Sequence, residues 1–170
     1  MIFNSLTYLL LLFLVVTLYW ILPYRARLLL IFSASLTFYG FWRVEFLPLL
    51  LLSTIVDWWV AQHMHGRSKS YRQLLLLISL TINLGLLFYF KYLIFFADNA
   101  IGFANLFGAE LDPIVLNIIL PLGISFYTFQ TISYTIDVYR RFIEPERNFI
   151  LYACYVTFFP QLVAGPILPH

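Results

Sequence analysis

Apolar residues run through this chain in blocks too long for a soluble core, divided by short polar interruptions. Ile2 to Leu22 forms the first block, closed by Pro23 and the basic turn Tyr24-Arg25-Ala26-Arg27. A second runs from Leu28 to Trp42, short for a hydrocarbon core of about 30 Å. Arg43-Val44-Glu45 separates it from a third, Phe46 to Gln62, in which Pro48 sits where a first helical turn can do without its N–H. His63 to Ser70 make a polar, basic loop. The fourth block, Tyr71 to Ala97, is Leu-rich at first and ends in Phe88, Tyr89, Phe90, Tyr92, Phe95 and Phe96, the make-up of an interfacial aromatic belt. Asp98 to Pro113 carries no Lys or Arg and reads as a loop, with one interfacial helical turn around Ile101 to Phe107. The fifth block starts near Ile114 and leaves through Arg140-Arg141, and a sixth runs from Phe149 to the C-terminus. Pro160, Gly165, Pro166 and Pro169 predict a bent or re-entrant piece there.

The fifth block differs from the others. Between Leu120 and Arg141 it holds Ser125, Thr128, Gln130, Thr131, Ser133 and Thr135 where lipid favours hydrocarbon. On a helix advancing about 100° per residue, Tyr127, Gln130, Thr131, Tyr134, Val138 and Arg141 share one face, with Asp137 at its edge. Phe129, Ile132 and Ile136 fall opposite. One side suits packing or lipid and the other a lined cavity. Tyr127, Gln130 and Tyr134 are therefore candidates to line a substrate path, and hydrogen bonding between helices explains the same pattern. Pro121 and Gly123 remove a backbone donor and loosen the first turn, which a membrane tolerates only where neighbours or water satisfy the freed groups.

Composition turns blocks into spans. The chain is 62% hydrophobic and 11% charged, with mean hydropathy +0.89, which implies an all-α, polytopic membrane protein of about six spans. The first block lacks a basic leader and a small-residue cleavage site, so it reads as a retained span. A net charge of +2, dispersed between apolar runs, gives no footprint for nucleic acid. Cys154 is the single cysteine and leaves no intrachain disulfide. Arg25 and Arg27, then Arg67, Lys69 and Arg72, then Arg140, Arg141 and Arg147 fall in alternate loops. The positive-inside bias makes that side cytoplasmic and the N-terminus extracytoplasmic.

An ionisable group inside a bilayer costs about 2.5–3.5 kcal/mol on insertion scales and asks for a reason. Lys91 lies toward the outer end of a run longer than a bilayer needs, so its stem can carry the ammonium to the interface. Asp57 is deeper, and pairing with a basic loop residue or a tryptophan indole is expected ahead of catalysis. His63 and His65 stand two apart without a nearby Cys or carboxylate, which argues against a metal site. Asp137 and Arg140 have the i, i+3 spacing of an ion pair, serving as an interfacial anchor or a substrate contact. No nucleophile elbow, P-loop, H-E-x-x-H or dinucleotide fingerprint is present.

LPLGISFYTFQTISYTIDVYR, from Leu120 to Arg140, closely resembles the signature of bacterial membrane-bound O-acyltransferases, in the branch of the alginate O-acetyltransferases and teichoic-acid D-alanyl transferases. Phe3-Asn4-Ser5, LYWILP, FYGFWRVEFLPLLLLSTIVDWW, FYFKY and FFPQLVAGPI resemble the same branch in the same order. The resemblance implies a multi-pass enzyme of the bacterial cytoplasmic membrane that moves an acyl group to a hydroxyl of a polysaccharide or teichoic-acid acceptor. The acyl donor, acetyl-CoA or an acyl carrier protein, would be a substrate and no cofactor is bound; acyl-carrier or envelope acyltransferase proteins are the implied partners besides the lipid bilayer. In that family the basic histidine lies well beyond the AGPI motif, so no catalytic residue is assigned here, and His170 does not match its position. Residues 1–170 are thus expected to be the N-terminal part of one membrane-embedded domain, truncated and inactive alone. The residues by themselves also fit a non-catalytic membrane subunit or a transporter-like scaffold of a cell-envelope polymer system.

Overall fold

A computed structural model describes residues 6–107 and 119–164 of the chain. Its described elements are all helical: α1 (Leu6–Ile21), α2 (Tyr24–Arg43), α3 (Leu47–Met64), α4 (Lys69–Leu87), α5 (Leu93–Leu106), α6 (Ile124–Arg140), α7 (Phe149–Thr157) and α8 (Phe159–Ala164). A 3-10 turn, Val44–Phe46, joins α2 to α3, and a π-helical turn, Phe88–Tyr92, joins α4 to α5 within the FYFKY motif. The runs Tyr24–Met64 and Lys69–Phe103 are long and apolar enough to cross a membrane.

Contacts along α7 fix how the helices run. Near its start, Trp58 and Gln62 of α3 bond the Glu146 carbonyl. Further along, the Cys154 thiol meets the Leu28 carbonyl, and the Phe159 N–H meets the Ser35 hydroxyl. α2 therefore ascends beside α7 and α8 while α3 descends, the reversal falling at Arg43, whose backbone is extended (φ −160°, ψ 110°). The start of α2, the end of α3 and the link after α6 consequently lie at one end of the bundle, so the three basic segments share that end.

Several boundaries differ from the sequence expectation. Tyr24 to Arg27 is the first turn of α2 and not a separate turn. Pro23 fits the N-cap with φ −68°, and Arg27 Nε donates to the Leu22 carbonyl at 2.7 Å while its guanidinium covers the Tyr19 ring. The cation thus serves the end of α1, as charge near a helix C-terminus does, and α2 reaches 20 residues. Asp98 to Leu106 belongs to α5 instead of a loop. No proline interrupts it, the lone Gly102 costs a helix only about 1 kcal/mol, and Asn99 bonds back to the Phe95 carbonyl. α6 begins at Ile124 and not near Ile114; Gly123 takes a left-handed conformation (φ 71°) that stops helix propagation toward buried Pro121, and residues 108–118 lie outside the described residues.

The last segment is bent where proline requires it. Pro160 has no N–H to continue the ladder and its ring opposes the carbonyl four residues back, so α7 ends at Thr157 and α8 starts after Phe158. The Ser35 hydroxyl accepts the Phe159 N–H at that break. Gly165 and Pro166 lie outside the described residues.

Candidate functional site

α3 carries Asp57 into the middle of the bundle, where it is fully buried. Ser79 and Asn83, one turn apart on α4, face it. Ser79 Oγ donates to Oδ1 at 2.6 Å, and Asn83 Nδ2 lies 2.9 Å from Oδ1 and 2.8 Å from Oδ2. Thr131 of α6 completes the set by donating to Asn83 Oδ1 at 3.3 Å. Asp57 thus pairs with neutral donors on a neighbouring helix, and not with a basic loop residue or an indole. The nearby indole is engaged elsewhere, since Trp58 Nε1 donates to the Glu146 carbonyl at 2.8 Å. A signal for the pairing exists in the sequence: two polar residues at i, i+4 inside the Leu-rich fourth block lie on one helix face.

The three candidate path residues occupy different surroundings. The Tyr134 hydroxyl accepts the Glu146 N–H at 2.9 Å, while Trp58 and Gln62 hold the Glu146 carbonyl. Asn148 then bonds Glu146 Oε1 through its N–H and caps α7 through its side chain, at Ile150 and Leu151. The link from α6 to α7 is clamped on four sides. Tyr134 also lines a cavity of about 310 Å³ with Tyr152, Tyr155, Glu144 and Glu146. Gln130 Nε2 donates to the Tyr155 carbonyl at 2.9 Å, tying α6 to α7. Tyr127 is buried, and its hydroxyl, like those of Tyr39 and Tyr152, has no hydrogen-bond partner among the described residues.

At the far end of α6, Asp137 and Arg140 do not pair. The ion pair within 4 Å among the described residues is Arg43 with Glu45, at 3.5 Å. Arg140 is exposed, where an i, i+3 pair gains little against solvent. The Asp137 carbonyl instead accepts the Phe142 N–H, and Arg141 turns left-handed (φ 64°) to close the helix. At the start of α6, Ser125 Oγ accepts from Lys91 Nζ at 3.2 Å, so the lysine head ends on a neighbouring helix. His63 sits with Nδ1 2.8 Å from the Trp59 carbonyl, at the end of α3 and away from Asp57. Among the described residues, no histidine hydrogen-bonds Asp57, Ser79, Asn83 or Thr131.

A helical bundle with apolar runs of membrane-spanning length, a buried polar core and a basic end defines the class: an all-helical protein of the membrane type. Comparison with known proteins narrows it. The chain is 40% identical over 153 residues to a probable alginate O-acetylase of Azotobacter vinelandii, covering 89% of this chain and 30% of that protein. It is 41% identical over 154 residues to a probable alginate O-acetylase of Pseudomonas aeruginosa, covering 89% and 29%. With the peptidoglycan O-acetyltransferase of Helicobacter pylori it shares 36% over 162 residues, covering 81% and 30%. Over most of its own length the chain is thus similar to O-acetylases and O-acetyltransferases, in keeping with its resemblance to the membrane-bound O-acyltransferases. It spans about 30% of the length of the curated relatives it matches. No family model and no solved structure matches it.

Proposed function

We propose that the chain serves O-acetylation of an extracytoplasmic polysaccharide of the alginate kind, as one portion of a multi-pass acyltransferase domain. The carrying observation is its identity of 40% over 153 residues to a probable alginate O-acetylase. Acyl transfer to a hydroxyl needs a base for the proton and an enclosure that keeps the acyl ester from water. This chain would contribute enclosure. Tyr134 beside its cavity, the unpartnered Tyr127 hydroxyl and Gln130 between α6 and α7 are the residues we assign to the path of the acyl group. Asp57, Pro121, Gly123, Asp137 and Arg140 then have structural or interfacial roles. The donor, acetyl-CoA or an acyl carrier protein, would approach the basic end, and a polysaccharide or teichoic-acid acceptor the opposite one.

In this reading the described helices make six passages of the bacterial cytoplasmic membrane, with the basic end cytoplasmic and the N-terminus outside. Support comes from the gathering of Arg27, Arg72 and Arg141 segments at one end of the bundle and from the positive-inside bias.

The experiment is a chimera in which this chain replaces the matched stretch of the Azotobacter relative, in a strain lacking that relative. Polymer acetyl content, read by proton NMR, should be restored. Gln130→Leu and Tyr134→Phe should lower it while membrane insertion persists. In the same chimera, Lys69→Cys should label only after the inner membrane is permeabilised and Asn99→Cys from outside; Cys154 is buried and gives little background. An inserted chimera with no acetylation would sink the transfer reading, and full acetylation in both variants would remove the path.

A further inference from the structure

Arg72, in the first turn of α4, is the buried cation among the described residues, with 8% of its surface exposed. Its side chain has no hydrogen bond there and no carboxylate within 4 Å. The guanidinium carbon lies over the Tyr139 ring, 5.1 Å from its centroid. The side chain is thus buried against that ring while its guanidinium nitrogens, with no protein acceptor, keep access to open space. The side chain lines a cavity of about 350 Å³ between the α3–α4 turn and the exit of α6.

Arg141 lines the same cavity from the other side. It is the one non-glycine residue with positive φ among the described residues, at 64°. Its N–H bonds the Val138 carbonyl and the following N–H bonds the Asp137 carbonyl, a helix-closing arrangement that glycine adopts without strain. An arginine held where glycine fits better indicates a use for its side chain. Glu144 also lines the cavity, yet it lies beyond 4 Å of both guanidinium groups, which leaves the lining with more cationic than anionic groups.

We propose that this cavity binds a phosphate group through Arg72 and Arg141. Guanidinium presents a planar fork of N–H donors that matches phosphate oxygens bidentately, and the oxygens would supply the acceptors Arg72 lacks. The phosphate belongs either to an anionic phospholipid at the interface or to a soluble phosphorylated ligand. The inference concerns binding alone and stands apart from the acyl-transfer reading.

The test uses the whole chain purified in a phosphate-free maltoside detergent. The phosphorus-31 linewidth of inorganic phosphate should broaden on adding protein, and Arg72→Gln should weaken that binding at least tenfold. Because Arg72→Gln can disturb folding, Arg141→Gly is the decisive companion: it relieves the strained backbone, so the melting temperature should hold or rise while phosphate binding falls. Native mass spectrometry after extraction from membranes with phosphatidylglycerol separates the sources. Retained phosphatidylglycerol that phosphate displaces assigns the site to a headgroup; phosphate binding without lipid retention assigns it to a soluble ligand. Binding of neither, binding unaltered by Arg141→Gly, or equal binding of acetate would overturn the proposal.

Discussion

Asp57, Ser79, Asn83 and Thr131 join α3, α4 and α6 through side chain to side chain polar contacts, whereas α1, α2 and α8 meet chiefly through the rings of Tyr8, Phe38 and Phe159 at centroid distances of 5.6–6.1 Å, beside the contact of Ser35 with the Phe159 N–H. The two regions hold helices together by different means. In a bilayer, lipid tails compete with any apolar contact, so ring packing has little solvent drive behind it, and polar contacts specify which helix meets which. The carboxylate of Asp57 accepts only where Ser79 and Asn83 stand, so it fixes the register of α3 against α4. The rings permit small slides at little cost. The first region is accordingly expected to be intolerant of single losses and the second forgiving.

The largest effect should come from Asn83→Leu. It removes two of the three contacts to the Asp57 carboxylate and leaves a buried acidic group with Ser79 alone. Leaving a buried polar group without its hydrogen-bond partner costs about 1–3 kcal/mol, and more for a charged one. A thermal melt of the whole chain in detergent, followed by circular dichroism, should show this as a large fall in midpoint. In the ring region, Phe38→Leu should be milder, because Tyr8 and Phe159 can close around the smaller side chain and leave little cavity. If the two variants melt alike, polar and ring contacts do not differ as argued.

The contrast also explains what the sequence made legible. Block lengths and hydropathy reveal helices because apolar length is a one-dimensional property, and the break near Pro160 follows from a missing N–H that no neighbour changes. The ends at Tyr24, Ile124 and Leu106 were harder. They depend on Arg27 reaching Leu22, on the left-handed turn at Gly123, and on Asn99 bonding its own helix. Asp57 was visible as a buried acid, but its partners lie 22 and 26 residues away on another helix, and block patterns do not state which faces meet. The polar face of α6 was visible too, without the division of labour along it. Tyr134 clamps the Glu146 peptide and Gln130 the Tyr155 carbonyl, contacts that depend on where α7 lies.

The smallest expected effect is the most informative. Replacing the whole polar set, with Asp57→Leu, Ser79→Ala, Asn83→Leu and Thr131→Val together, leaves no buried group without its partner. Replacing all partners of buried hydrogen bonds by apolar groups of similar shape can be nearly neutral or stabilising, so the midpoint should return close to the parent value although Asn83→Leu alone lowers it sharply. Non-additivity of that size marks contacts that act as a unit. The same four changes in the acetylation chimera then divide structure from chemistry. A chimera that inserts, melts normally and still acetylates polymer makes the set a device for helix register. One that melts normally but no longer acetylates would mean that Asp57 and its neighbours act on the transfer itself, and the forgiving and unforgiving halves would differ in function as well as in packing.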